Sequence, residues 1–133
     1  SDSRSILKRT ITLEKGIRQW GNVGGLVTGL FTEDYGLISR SLEDGIIEPL
    51  RSLLIPGFED MREAALKAGA LGFGISGSGP SVFALSRGKE TALHTEQSLI
   101  SCYSSLGIPF KTYTSAINKK GVRLWNEQTD ILI

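Results

Sequence analysis

The sequence predicts an α+β fold in which helices cover a four-stranded antiparallel sheet. Two observations predict it. Four segments repeat their apolar residues at helical steps of three and four, and two pairs of β-prone segments are each joined by a glycine-containing turn. The chain has 133 residues, of which 40% are hydrophobic. We therefore expect one ordinary domain with a packed core over residues 1–133.

The first predicted helix begins after Thr12, a suitable N-cap residue, and its apolar residues follow one stripe. They are Leu13, Ile17, Trp20, Val27 and Phe31. Glycines at every fourth position, Gly21, Gly25 and Gly29, leave one face of this helix without side chains. In an apolar membrane segment this spacing would indicate helix pairing. With charged residues on both flanks, we expect it to allow close packing in a soluble core.

The remaining elements follow from capping residues, prolines and β-prone runs. A helix over 34–42 is capped by Asp34, and an irregular crossing over 48–58, interrupted by Pro49 and Pro56, follows it. Next come a helix over 58–69, a hairpin over 72–86 and a helix over 89–105. A second hairpin ends the fold, with strands at 110–117 and 122–125 around a turn at 118–121. The two hairpins supply the four strands of the predicted sheet.

Charge and composition exclude several classes of partner. The chain carries 15 Lys and Arg against 14 Asp and Glu, which is too little positive charge for a broad nucleic-acid or membrane surface. No run approaches the ~18 uninterrupted apolar residues of a membrane span. The single cysteine, Cys102, cannot form an internal disulfide and favours a cytoplasmic location. The chain starts without Met or a signal peptide, so we expect it to derive from a longer protein.

The glycine-rich stretch at 72–80, GFGISGSGP, contains the pattern G-x-G-x-x-G. A dinucleotide-binding turn needs a strand before it and a helix after it, whereas here a helix precedes and a strand-like segment follows. No lysine follows the glycines, which also excludes a P-loop. The residues alone leave two interpretations open. The stretch is either a flexible hairpin tip, or a turn whose backbone N–H groups contact an anion or another loop.

Three segments together carry a resemblance to a known family. The segment AGALGFGISGSGPSVFAL at 68–85 closely resembles the third motif of the GHMP kinases, the superfamily of galactokinase, homoserine kinase and mevalonate kinase. The segment IIEPLRSLLIPGFEDMREAALKAGA at 46–70 is similar to the homoserine kinases, with Pro-x-Arg before Leu-Ile-Pro-Gly. The segment at 3–22 resembles that family's Ala-Arg-x-x-Leu-Pro motif, although Lys8 replaces the usual proline.

The resemblance implies a ferredoxin-like α/β sandwich and the phosphorylation of L-homoserine by ATP with Mg²⁺, in threonine biosynthesis. Arg4 and Arg51 match the two arginines that hold the homoserine carboxylate in that family. The guanidinium group suits this role because its fixed fork binds a carboxylate bidentately. The positions that match the turn beside the nucleotide loop are Ser76, Gly77, Ser78 and Gly79.

The family's ATP-binding loop, its magnesium-binding acidic residue and its active-site serine have no match in this chain. We therefore assign no catalytic residue and no metal ligand here, and expect both in an N-terminal domain that is this chain's partner. We expect the 133-residue chain alone to be inactive, and to self-associate or be marginally stable because it lacks that domain. A second copy of the chain is a further candidate partner.

Two alternatives to a homoserine kinase remain open at this point. One is another GHMP enzyme, such as a mevalonate-type or sugar kinase, from which Arg51 distinguishes the chain only weakly. The other is a non-catalytic, ferredoxin-like module that binds an amino acid or a partner chain for regulation. A Gly/Ser-rich phosphate loop upstream would distinguish a kinase from such a module.

Overall fold

The protein is described here by a computed structural model that covers residues 6–7 and 10–120, and its fold is α+β. The helices are α1 (Leu13–Thr32), α2 (Tyr35–Ser41), α3 (Glu48–Arg51), a 3-10 helix (Ser52–Leu54), α4 (Phe58–Lys67) and α5 (Lys89–Ser104). The strands are β1 (Gly72–Ile75) and β2 (Val82–Leu85). Within the covered ranges, no helix is both long and apolar enough to cross a membrane.

The first two helices begin where their capping residues predict. The Oγ1 of Thr12 accepts a hydrogen bond from the backbone N–H of Lys15, and Oδ1 of Asp34 accepts one from the N–H of Leu37. Each bond satisfies an N–H that has no partner inside its helix. Between the helices, Glu33 takes a left-handed conformation with φ of 55°. This reverses the chain, so that α1 and α2 pack against each other.

Glycines allow α1 and α2 to approach closely. A Cβ atom at Gly25 would lie 2.5 Å from Oγ of Ser41, and one at Gly29 would lie 3.0 Å from the backbone nitrogen of Ile38. The predicted close packing is therefore confirmed at these two glycines. The third, Gly21, would carry a Cβ with no neighbour within 4 Å.

The apolar stripe of α1 lies away from α2 and is exposed. Its side chains range from 50% exposed at Val27 to 86% at Phe31. The other members are Leu13, Ile17 and Trp20, each more than half exposed. Among the described residues, the helix therefore packs Gly25 and Gly29 against α2 and presents its apolar face to solvent.

The glycine-rich stretch forms the predicted hairpin. Strands β1 and β2 pair antiparallel, with Gly72 opposite Leu85 and Ile75 opposite Val82. The N–H of Ser76 donates to the carbonyl oxygen of Ser81 over 2.8 Å and closes the turn between the strands. Because a strand follows this turn, the rejection of a dinucleotide-binding motif is confirmed.

The hairpin separates the hydrophobic core from a second, glycine-lined face. Phe73 is buried in the core, where its ring lies 5.2 Å from that of Phe58. The buried core residues are Ile55, Phe58, Met61, Ala65, Ala70 and Phe73, and α5 contributes Leu99, Cys102 and Tyr103 beside them. On the opposite face, Gly72 and Gly74 allow Leu42 and Glu48 to lie directly against the strand backbone.

The irregular crossing predicted over 48–58 is partly wrong, because α3 and the 3-10 helix occupy most of it. Pro49 is compatible with α3 because it sits in the first turn, where the missing N–H would have no helical partner. Oδ1 of Asp44 accepts hydrogen bonds from the N–H groups of Ile46 and Ile47 and so fixes the approach to this helix.

The four-stranded sheet is not confirmed, because the described residues form a two-stranded sheet. Residues 110–117, which were predicted as the third strand, have no regular secondary structure. Their predicted partner at 122–125 lies outside the described residues. A β-strand is defined by hydrogen bonds to a neighbouring strand, so local β-propensity alone does not establish one.

Candidate functional site

Helix α3 brings Arg51 against the glycine-rich turn. The Nη1 of Arg51 donates to the carbonyl oxygen of Gly77 over 2.9 Å. The two residues are 26 positions apart in the sequence. This contact joins the two segments on which the sequence analysis placed a carboxylate-binding arginine and a phosphate-loop turn.

The guanidinium group of Arg51 keeps hydrogen-bonding capacity after this contact. Its Nε is buried and has no hydrogen-bond partner among the described residues. A buried N–H without a partner is unfavourable in a folded protein, so this unpartnered donor marks Arg51 as unusual among the described residues. Arg51 also lines a cavity of about 110 Å³, together with Leu42, Asp44, Ile47, Glu48, Gly74, Ile75, Gly77 and Phe83.

The turn itself presents free backbone donors. The N–H groups of Ser76 and Gly79 are used inside the hairpin, by the carbonyl oxygens of Ser81 and Ser76 respectively. Those of Gly77 and Ser78 have no partner within the described part of the chain. Both residues are exposed, and a Cβ at Gly77 would have no neighbour within 4 Å. The turn is therefore accessible to an anionic oxygen or to a second backbone loop.

A buried carboxyl group borders the cavity beside Arg51. Glu48 is only 6% exposed, and its Oε2 accepts a hydrogen bond of 3.3 Å from the N–H of Ile75. Its other oxygen, Oε1, is paired with Nη2 of Arg62. Burial raises the pKa of Glu48 above its usual value, and the nearby carboxylates of Asp44 and Glu59 add to the increase. The Arg62 charge and the Ile75 N–H act in the opposite direction.

The structure brings together five of the six predicted site residues. They are Arg51, Ser76, Gly77, Ser78 and Gly79. The sixth, Arg4, lies outside the described residues. Sequence reasoning missed Glu48 and its partner Arg62. A signal was present, because Glu48 is an acidic residue in the apolar run IIEPL, one helical turn before Arg51.

Comparison with known proteins identifies the family. The family profile described as "GHMP kinases C terminal" matches residues 26–104. The chain belongs to the GHMP kinase C-terminal family. This match confirms the resemblance to the GHMP kinases that the glycine-rich segment carries.

The relatives are homoserine kinases. The homoserine kinase of Chlorobium phaeobacteroides (strain BS1) is 47% identical over 124 residues, which cover 92% of this chain and 39% of that protein. That of Chloroherpeton thalassium is 62% identical over 86 residues, covering 65% of this chain and 27% of the relative. The crystal structure of homoserine kinase from Cytophaga hutchinsonii matches with a TM-score of 0.86 and 51% identity, covering 89% of this chain and 38% of that one.

The chain spans about two-fifths of the length of curated relatives such as the homoserine kinases of Chlorobium phaeobacteroides (strain BS1) and Chlorobium phaeovibrioides. The comparisons match one part of each of these relatives. They also confirm the α+β architecture that the hairpin and helices predicted.

Proposed function

We propose that this chain is the substrate-binding C-terminal part of a homoserine kinase, which transfers the γ-phosphate of ATP to the hydroxyl group of L-homoserine and gives O-phospho-L-homoserine. The names of the relatives support the substrate. The observation that carries the proposal is the contact between Arg51 and Gly77. It places a permanent positive charge beside a turn with free backbone donors.

Arg51 is proposed to bind the carboxylate of homoserine. Its Nη1 is occupied by the Gly77 carbonyl oxygen, which fixes the plane of the guanidinium group. The guanidinium N–H groups that Gly77 does not use are then proposed to donate to the carboxylate. Arg4 is proposed as the second carboxylate-binding arginine, on the resemblance alone.

The turn at 76–79 is proposed to lie against the nucleotide loop. Phosphoryl transfer depends mainly on positioning and on neutralising charge around the transferred group, so backbone N–H groups near the phosphates contribute directly. The free N–H groups of Gly77 and Ser78 fit a phosphate oxygen. ATP, when bound, supplies the phosphoryl group. On the resemblance to the family, we propose that the Mg²⁺ ligands lie in the N-terminal domain.

The full protein is proposed to combine this chain with an N-terminal ATP-binding domain in the cytoplasm, where it serves threonine biosynthesis. The exposed apolar stripe of α1 is suited to being covered by that domain. We further propose that the complete domain is a ferredoxin-like sandwich with four strands, and that the 133-residue chain alone does not catalyse the reaction.

An ADP-release assay on the full-length protein tests this proposal. L-homoserine, mevalonate and galactose are offered separately with ATP and Mg²⁺, and the 133-residue chain serves as a matched control. We expect ADP only from the full-length protein with homoserine. Activity on mevalonate or galactose instead would point to another GHMP kinase. No activity on any of the three would favour the non-catalytic module, and activity of the isolated chain would contradict its proposed dependence on a second domain.

A further inference from the structure

Helix α3 holds the end of β1 and the following turn at two points. The carboxyl group of Glu48 accepts the N–H of Ile75, the last residue of β1. One helical turn later, Arg51 donates to the carbonyl oxygen of Gly77. The two anchored positions flank Ser76, where the strand passes into the turn.

The geometry points to Glu48 as a positioning residue of the site: its buried carboxyl group fixes the end of β1 so that Arg51 and the 76–79 turn keep the relative placement that substrate binding needs. This inference rests on the proposed kinase function. Glu48 acts through Ile75 and Arg62 and is not proposed to contact the substrate.

The turn has few other constraints on its position. Pairing between β1 and β2 ends at Ile75 opposite Val82. Beyond that pair, the backbone hydrogen bonds are internal to the hairpin, from Ser76 to Ser81 and from Gly79 to Ser76. Such bonds fix the shape of the turn but not its placement against α3. Packing places Ile55 beside Gly79 and Glu48 beside Gly74, and the hydrogen bonds made by Glu48 and Arg51 add direct attachment of α3 to the strand end and the turn.

Glu48 is itself held from the core side. Its partner Arg62 lies on α4, and the guanidinium carbon of Arg62 is 5.1 Å from the centre of the Phe58 ring. The strand also leaves space for the carboxyl group, because a Cβ at Gly74 would lie only 2.9 Å from Oε2 of Glu48. A continuous series of contacts therefore connects the buried ring of Phe58 to the turn.

A purely structural role would not require this residue type. Taking a carboxyl group and a guanidinium group out of water is costly, and apolar residues of similar volume often give equal or greater stability. An apolar side chain at position 48 would fill the same space but could not accept the N–H of Ile75. A buried carboxyl group at position 48 is useful because it accepts the Ile75 N–H and so orients the end of β1.

Kinetics of the full-length protein test the inference with two substitutions. Glu48→Leu removes the acceptor and the charge, whereas Glu48→Gln keeps an acceptor oxygen for Ile75. Glu59→Gln is the matched control, since Glu59 faces the same Arg62 at 3.7 Å but is 72% exposed and does not contact the strand. We expect kcat/KM for homoserine to fall roughly 10- to 100-fold in Glu48→Leu, as for other small misplacements of substrate-binding groups. Glu48→Gln should retain more activity, and the control should stay within about twofold of wild type.

Amide hydrogen exchange on the same proteins separates positioning from general stability and from the proposed function. We expect faster exchange of the Ile75 amide in Glu48→Leu, with unchanged exchange in α1 and α2. If wild type does not phosphorylate homoserine, the proposed function fails, while this exchange pattern still tests whether Glu48 fixes the strand end. Unchanged exchange at Ile75, or equal acceleration throughout the domain, would overturn the inference. If Glu48→Leu does not fold, Glu48→Met, which also lacks an acceptor oxygen for the Ile75 N–H, takes its place in the same comparison with Glu59→Gln.

Discussion

Arg51 donates from Nη1 to the carbonyl oxygen of Gly77 over 2.9 Å, and this bond attaches helix α3 to the glycine-rich turn. The contact fixes one edge of the guanidinium group while its buried Nε has no partner. An arginine held in this way binds a carboxylate with little further loss of side-chain freedom.

Close packing between α1 and α2 predicts opposite effects of alanine at two glycines of one helix. Gly29→Ala should destabilise the fold, because its Cβ would lie 3.0 Å from the Ile38 nitrogen and 3.1 Å from the Asp34 oxygen. Overpacking of this kind costs ~1–3 kcal/mol, which exceeds the gain of up to ~1 kcal/mol from helix propensity. Gly21→Ala, with no neighbour within 4 Å, should stabilise the fold by ~0.5–1 kcal/mol. Urea unfolding of both variants checks the signs, and a stable Gly29→Ala would contradict the packing.

Glu48 is buried and Glu63 is exposed, so we expect their contributions to the stability of the fold to depend on pH in opposite directions. Burial raises the pKa of Glu48 above 4.5, so its folded state binds the proton more tightly than the unfolded chain. Its contribution to stability is fully present below the unfolded-state pKa and is lost as pH rises through the folded-state pKa. The stability of wild type relative to Glu48→Gln should therefore fall as pH increases from about 4.

Glu63 provides the control for this pH experiment. Its hydrogen bond to Lys67, and then the Lys67 charge, lower the pKa of Glu63 below 4.5. Its contribution is present above the unfolded-state pKa and is lost as pH falls through the folded-state pKa. The stability of wild type relative to Glu63→Gln should thus rise with pH over the same range, by a small amount because the pair is exposed. Slopes of the same sign for both glutamates would argue against the buried environment of Glu48.

The exposed stripe of α1 predicts that the 133-residue chain associates with itself. Ile17 is 57% exposed and Trp20 is 67% exposed on one face of this helix, and exposed apolar surface of this extent favours association. In sedimentation velocity, the average mass should increase with concentration, and Ile17→Lys should reduce the increase. Thr28→Lys adds the same charge at an exposed polar position of α1 and should have a smaller effect. A monomer at all concentrations would contradict this prediction.

Local sequence signals predicted much of the fold. The caps at Thr12 and Asp34 each act on an N–H group three residues away, so the sequence near them was sufficient to place the starts of α1 and α2. The glycine-rich hairpin was also predictable from its own residues, because its two strands and turn are adjacent in the sequence. The structure of the segment at 110–117 was not predictable in this way, because a strand depends on pairing with residues elsewhere in the chain.

The candidate site was predictable only in part. The residues of the 76–79 turn left a flexible tip and a ligand contact equally open, and only the resemblance to a family assigned roles to the turn and to Arg51. The placement of Glu48 depends on Arg62 and Ile75, which lie 14 and 27 positions further along the chain. Such tertiary contacts leave no periodic pattern, so the role of Glu48 became visible only in the folded structure.

The most direct test of the central claim compares two substrates of the full-length protein in the presence and absence of the Arg51 side chain. L-homoserine carries the carboxylate, whereas 3-aminopropan-1-ol retains its amine and hydroxyl but lacks the carboxylate. Arg87→Ala serves as the matched arginine control, because Arg87 stacks on Tyr35 at 4.1 Å, away from the turn. Steady-state KM and kcat are measured for both substrates in wild type, Arg51→Ala and Arg87→Ala.

If Arg51 binds the carboxylate, Arg51→Ala raises the apparent KM for homoserine by roughly 10- to 100-fold, the equivalent of a lost hydrogen bond to a charged group. The amino alcohol should then react poorly with every variant and be indifferent to Arg51→Ala, while Arg87→Ala resembles wild type with both substrates. Equal losses for the two substrates in Arg51→Ala, or no loss for homoserine, would contradict a carboxylate-binding role for Arg51.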